Sequence, residues 1–294
     1  MKKISFILMA GLLALASCKT IEEDITTHEP EVEPVQGEWT LTIRASKGDA
    51  ETKALSLDGN TLKAYWLNTE TVKVYKGTSP LGELGVTPDG SDNTSATLSG
   101  SFESVDGLAQ NDELTLLIPR ETWNYTGQAG TLESIQTSYD YATATVTINT
   151  LDTQNKTITT TAATFDNQQS IYRFAFKKDN AAFSIKDFTV SSAGNRIVSE
   201  MTLGGTPTLG GFKVTPASAT DAPLFVAIRN TGTEVDTYNF LVTGGDDAMY
   251  SVSKEIPARV LDVPGKFISA TSLNLTQPSF APADGTVSNS SNVL

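Results

Sequence analysis

The sequence predicts an all-β protein: two β-sandwich domains in tandem, behind a leader and an acidic tether. Three observations carry that expectation. Apolar residues recur at every second position in runs of about five to eight residues, the usual length of a strand with one buried face. Gly, Asn, Asp and Pro punctuate the runs where turns need them. No segment sustains a helical apolar stripe over three turns. At about 100–200 residues per domain, 294 residues correspond to two domains, each large enough for its own core.

Residues 1–17 form the leader. Lys2 and Lys3 precede the apolar stretch Ile4–Leu15, which is short for a transmembrane helix and has the layout of a signal peptide. Leu15-Ala16-Ser17-Cys18 resembles a bacterial lipobox, in which the cysteine is acylated and becomes the first residue after cleavage. The resemblance makes Cys18 the lipidation site and residues 1–17 a lipoprotein signal. An ordinary secretory signal with a chance cysteine is the alternative. Cys18 is the single cysteine, so no intrachain disulfide can form and an exported chain must rely on core packing. Residues 18–37, acidic and carrying Pro30 and Pro34, read as an extended tether. Lys19, in place of Asp, fits sorting to the outer membrane by resemblance. Glu22-Glu23-Asp24 resembles the acidic cluster of surface-exposed lipoproteins in Bacteroidetes.

The first sandwich is expected over residues 38–166. In GEWTLTIRAS, Trp39, Leu41 and Ile43 alternate with Thr40, Thr42 and Arg44. KALSLDGNTLKAYW turns at Asp58-Gly59, and TVKVYKG, ATLSGSFESV and ELTLLIPR follow around the polar loop TPDGSDNTSA. ATATVTINTLD and KTITTTAATF flank Thr153-Gln154-Asn155 as a hairpin with a threonine-rich outer face. One segment departs from the pattern. In GQAGTLESIQTSYDYAT, Leu132, Ile135 and Tyr139 lie three and four apart, which permits one or two helical turns on the rim of the first domain, or a loop. The second sandwich, residues 167–294, begins near Asn167 with SIYRFAF. It continues through FSIKDFTVSS, RIVSEMTLGG, GFKVTP, PLFVAIRN, TYNFLVTGG, MYSVSKEI and GKFISATSLNL, and ends in a C-terminal extension.

The formal charge of -13 argues against nucleic acid as a partner. The single histidine, His28, lies in the tether, so no histidine-based triad or zinc site can be assembled in a folded domain. No catalytic, metal or cofactor residue is assigned. A glycosidase would need two carboxylates facing across a cleft. Asp246-Asp247 and Asp89 with Asp92 sit instead in glycine-rich turns, and PDGSDN lacks the spacing of a calcium loop. Trp66, Tyr75, Trp123, Tyr125, Tyr139 and Tyr141 could line a sugar or protein surface, but aromatics of sandwich strands are mostly core. Trp123 and Tyr125 are expected to close one end of the first domain.

KALSLDGNTLKAYWLNTETVKVYKG, LTLLIPRETWNYTGQAGTLESIQTSYDYATATV, FDNQQSIYRFAF, PLFVAIRN and VPGKFISATSL, in this order, resemble the fimbrillin-like proteins of Bacteroidetes, the FimA/Mfa-type subunits of type V pili. The resemblance spans Trp39 to Leu275. It implies two transthyretin-like β-sandwich domains, a lipoprotein precursor, and a protease specific for Arg or Lys that cuts near the first strand. Loss of that strand opens a groove that a strand from another fimbrial subunit refills. Here the displaced strand carries Trp39, Leu41 and Ile43, and the candidate cleavage residues are Arg44, Lys47 and Lys53. Arg44-Ala45 is the bond that frees the three apolar residues as a unit; Lys53-Ala54 is the alternative. The tail after Leu275 is interrupted by Pro278 and Pro282 and makes a poor donor strand, which leaves shaft, tip and accessory roles open.

The expected function is therefore a structural, tip or accessory subunit of a surface pilus contributing to adhesion. The expected location is the outer membrane, surface-exposed through lipid on Cys18, and the fimbrium after assembly. The alternatives are a non-polymerising surface lipoprotein that binds host glycan or protein, and, last, a carboxylate glycosidase.

Overall fold

A computed structural model describes residues 37–47, 56–58, 61–63, 65–91, 93–258 and 267–277. Cys18, His28, Lys53, Asp92, the tether before Gly37 and the extension after residue 277 lie outside the described residues.

The first half of the chain forms β1 (Trp39–Lys47), β2 (Ser56–Asp58), β3 (Thr61–Lys63), β4 (Thr71–Lys76), β5 (Ser79–Asp89), β6 (Ser95–Phe102), β7 (Glu113–Ile118), β8 (Thr122–Asn124), α1 (Leu132–Ser138), β9 (Ala142–Asp152), β10 (Thr157–Thr160) and β11 (Ala163–Asn167). The second half adds β12 (Ser170–Lys178), β13 (Ala181–Ala182), β14 (Ile185–Ser192), β15 (Val198–Thr202), β16 (Thr208–Leu209), β17 (Phe212–Val214), β18 (Leu224–Ile228), β19 (Asp236–Gly244), β20 (Met249–Ile256) and β21 (Phe267–Asn274). The protein is all-β and sandwich-like, with one short helix among the described residues.

The alternation read from the sequence is the alternation of burial. β1 and β11 place every second residue inside, and β9 does so along its first half. The expected hairpin at Thr153-Gln154-Asn155 is present, with Asp152 Oδ1 accepting from the backbone N–H groups of Gln154 (2.9 Å) and Asn155 (3.0 Å). Around the first core the strands pair in a closed circuit. β1 is antiparallel to β6, which leads through β5, β4, β7 and β9 to β10 and β11, and these return to β1 in parallel. β10 and β11 act as one strand interrupted near Thr161, lying between β9 and β1. Trp39, Leu41, Trp66, Val72, Leu98, Leu116, Ile148 and Phe165 are among the residues that fill the space within.

The second core lies between the sheet β18-β12-β21, extended by β13, and the sheet β17-β14-β19-β20. Its centre is aromatic. Phe174 meets Phe240 edge to face with ring centroids 4.9 Å apart, and Phe176 lies 4.9 Å from Phe188. Such contacts add to the area that each ring buries.

The segment between β7 and β9 corrects the expectation for Trp123 and Tyr125. They do not close the end of the first core; they pack into the second, together with Ile135 and Tyr141. β8 pairs with β15 from the second half, Met201 lying opposite Trp123. The reason is polar as well as apolar. Gln169 Oε1 accepts from Tyr125 Oη and from the Tyr141 N–H, both at 3.2 Å, and Arg229 lies 5.1 Å from the Trp123 ring centroid. The helix forms where the spacing of Leu132 and Ile135 permits it, capped by Thr131, whose hydroxyl accepts from the Ser134 N–H at 3.1 Å. It covers the second core, not the rim of the first: Ile135 is fully buried there. Gly130 makes this seat possible. Its φ of +76° is one that favours glycine, and a Cβ there would come within 2.8 Å of Leu224.

Candidate functional site: the first strand and its groove

Trp39 and Leu41 are fully buried and Ile43 is 2% exposed, whereas Thr40, Thr42 and Arg44 face out. The inward row continues through Ala45 to Lys47. Its register is set along the whole strand: Trp39 opposes Phe102, Leu41 opposes Gly100, Ile43 opposes Leu98 and Ala45 opposes Ala96 on β6. On the other flank Thr40 pairs with Thr157 and Ala45 with Ala163. β1 is not an edge strand: it lies between two neighbours, so its removal would uncover two sheet edges together with the apolar pockets beneath.

Glycines shape the receiving wall. Gly100 cannot carry a side chain, because a Cβ would lie 2.4 Å from the Glu83 carbonyl oxygen. Leu41 therefore faces bare backbone on that side. The Phe102 ring lies over Gly82 in the same way, at 2.6 Å from an imagined Cβ.

The three candidate cleavage residues separate. Arg44 is exposed, but it pairs with Thr97 on β6, and Ala45, on the other side of the bond, is paired on both flanks. Lys47 ends the strand with its side chain only 4% exposed. Its ammonium stands 4.4 Å from the Trp66 ring centroid and 3.7 Å from Glu70 Oε2, and it donates to the Tyr65 carbonyl oxygen. Lys53 lies outside the described residues. Alternation alone could have marked Lys47 as inward-facing, since it shares the parity of Trp39, but no sequence signal pointed to Glu70 as its partner.

The other candidates serve the fold. Trp66, Tyr75, Trp123, Tyr125 and Tyr141 are buried and Tyr139 packs against the second core, so they form no open platform. Asp89 accepts from the Thr97 hydroxyl at 3.3 Å. Asp246 accepts from Tyr250 Oη at 2.7 Å and from the Ala248 N–H at 3.1 Å; these bonds hold its carboxyl below the usual range. Asp247 pairs with Lys186. Among the described residues no group of three or more His, Cys, Asp or Glu side chains is placed to hold a metal, and no helix is long and apolar enough to cross a membrane.

No family model matches the chain, and no curated protein matches it. Among solved structures it is similar to a candidate adhesin from Bacteroides ovatus, at 9% identity over 92% of this chain and 100% of that one, with a TM-score of 0.41. A second candidate adhesin from Bacteroides ovatus is 12% identical over 86% and 90% of the respective chains, with a TM-score of 0.40. A candidate cell adhesion protein from Bacteroides uniformis is 14% identical over 72% and 84%, with a TM-score of 0.39.

Proposed function

We propose that the protein is a surface-anchored subunit of a type V pilus, a structural, tip or accessory component contributing to adhesion. In this reading it is exported as a lipoprotein acylated on Cys18 and held at the outer membrane. A protease specific for Arg or Lys removes the first strand, and a strand from another subunit takes its place. The observation that supports this most directly is the seating of β1. The first strand of the described residues fills apolar pockets with Trp39, Leu41 and Ile43 and completes backbone pairing on both flanks. Each of those side chains contributes about 1.5–3 kcal/mol of burial before ordering costs. An emptied groove is thus both sticky and specific, with unpaired N–H and C=O groups ready for strand addition. Repeated head-to-tail filling gives a filament, not a closed ring.

The same geometry favours Lys53-Ala54 over Arg44-Ala45 as the bond cut in the folded precursor. A protease that binds its substrate as an added strand finds no free edge at Arg44, and Lys47 is sheltered by Trp66 and Glu70. The test combines two measurements on protein extracted from cells: mass spectrometry of the membrane-bound N-terminus, and N-terminal sequencing of the assembled form. Lipid on Cys18 before assembly and a start at Ala54 after it are expected. An assembled form that retains an intact β1 would refute the mechanism.

A further inference from the structure

The groove that holds β1 is apolar along most of its length and acidic at one end. Trp39, Leu41, Ile43 and Ala45 face inward at two-residue spacing, and the fifth residue of that row is Lys47. Beneath it lies Glu70, its side chain 9% exposed. Glu70 Oε2 has no hydrogen-bond partner, nor has the indole N–H of Trp66, which is itself fully buried. The ammonium of Lys47, 3.7 Å from Glu70 and over the Trp66 face, is the cation set against that carboxylate. The wall is held in place by the backbone N–H of Trp66, which donates to the Asn93 carbonyl at 2.8 Å, and by an edge-to-face contact between the Trp66 and Phe165 rings, with centroids 5.4 Å apart.

Seating an apolar residue over a buried carboxylate leaves a charge that neither water nor protein compensates. If a cut beyond Lys47 releases β1, Lys47 leaves with it and Glu70 and Trp66 remain. We propose that Glu70 and Trp66 form a charge-reading subsite, which selects, as the replacement for β1, a strand from a different polypeptide carrying Lys or Arg at its fifth inward position. This rests on the strand-replacement reading above and specifies the chemistry of the partner. The subsite also sets register. A slip of one residue turns the apolar row outward, and a slip of two places an apolar side chain on Glu70 and moves the cation away. One buried polar group fixing register among otherwise equivalent apolar contacts has precedent in helical zippers. Residues 267–294 of this chain contain no Lys or Arg, so a strand drawn from that region of a second copy does not meet the requirement.

The test uses the full chain cut with a lysine-specific protease, its first strand released in mild urea. Fluorescent, C-terminally amidated peptides are then added on dilution and followed by anisotropy. The peptides are the sequence of residues 39–47, its Lys47→Met and Lys47→Glu versions, and the sequence of residues 267–275. The proposal expects the first to bind, the Lys47→Met version to bind about 100-fold more weakly, and the Lys47→Glu version and the 267–275 peptide to bind more weakly still. In a Glu70→Gln protein the advantage of Lys over Met should fall to within about threefold. If Glu70→Gln does not fold, the peptide series on the wild-type protein decides alone. Equal affinity for the Lys and Met peptides overturns the charge-reading subsite and leaves strand replacement standing. Failure of every peptide to bind overturns strand replacement, and this proposal with it.

Discussion

Truncating Leu41 to alanine is the sharpest probe of whether β1 belongs to the folded core. Leu41 is fully buried, and its neighbour across β6 is Gly100, which offers no side chain to collapse into the space left behind. Nor can a methyl be supplied from that side, since a Cβ on Gly100 would lie 2.4 Å from the Glu83 carbonyl oxygen. A buried Leu→Ala change costs about 2–5 kcal/mol, more where the cavity cannot relax, so about 4 kcal/mol is expected here. With a urea slope of about 2–3 kcal/mol/M the midpoint should fall by more than about 1 M. The chain has two cores, so one transition should not be assumed. Trp39 and Trp66 report on the first core and Trp123 on the second, and a Trp123→Phe background isolates the first signal. Thr42→Ala, on the exposed face of the same strand, should change stability by no more than about 0.5 kcal/mol. If Leu41→Ala proves no more harmful than Thr42→Ala, β1 is not seated in solution, and the groove argument collapses with it.

Two further outcomes follow from the second core. Gln128 is fully buried and stands in for a neighbouring strand: its amide donates to the Ala227 carbonyl (2.8 Å) and to that of Tyr125 (3.0 Å), while its oxygen accepts from the Ala227 N–H (2.8 Å). Gln128→Ala should cost about 2–3 kcal/mol and speed hydrogen exchange at Ala227 well before it does so at Phe240; unchanged exchange at Ala227 would show that the side chain does not guard that edge. Burial pushes the Tyr172 phenol up to about 12, and Tyr238 and Tyr125 move in the same direction. The folded state therefore holds these protons more tightly than the unfolded chain, so their contribution to stability is complete below about pH 10 and is lost as pH rises from there towards 12. Phenolate absorbance that appears only together with loss of near-ultraviolet circular dichroism would bear this out, and ionisation of all the tyrosines in the intact fold near pH 10 would contradict it.

Most of the fold was legible because strand alternation is a local property. Trp39, Leu41 and Ile43 declare their shared face within five residues, and the spacing of Leu132, Ile135 and Tyr139 permits the short helix that forms. What local pattern could not show is which layer a segment joins. Trp123 and Tyr125 lie in sequence beside β7, yet their partners, Gln169, Met201 and Arg229, come from farther along the chain. The same limit applies to the groove. Parity places Lys47 inward, but its meeting with Glu70 depends on how the segment from Tyr65 to Glu70 crosses the end of β1, and composition carries no trace of that.

The parallel seat of β1 has a consequence for the order in which the protein can form. Thr40 pairs with Thr157 and Ala45 with Ala163, so β1 leaves the ribosome with one flank that does not exist until nearly the whole first core has followed it. Its other neighbour, β6, also arrives late. Contacts this distant in sequence slow folding, because a long loop must close before any pairing rewards it. During that interval Trp39, Leu41 and Ile43 are an unsatisfied apolar strand, open to any passing edge, and a chaperone that shields extended segments would find a substrate in β1.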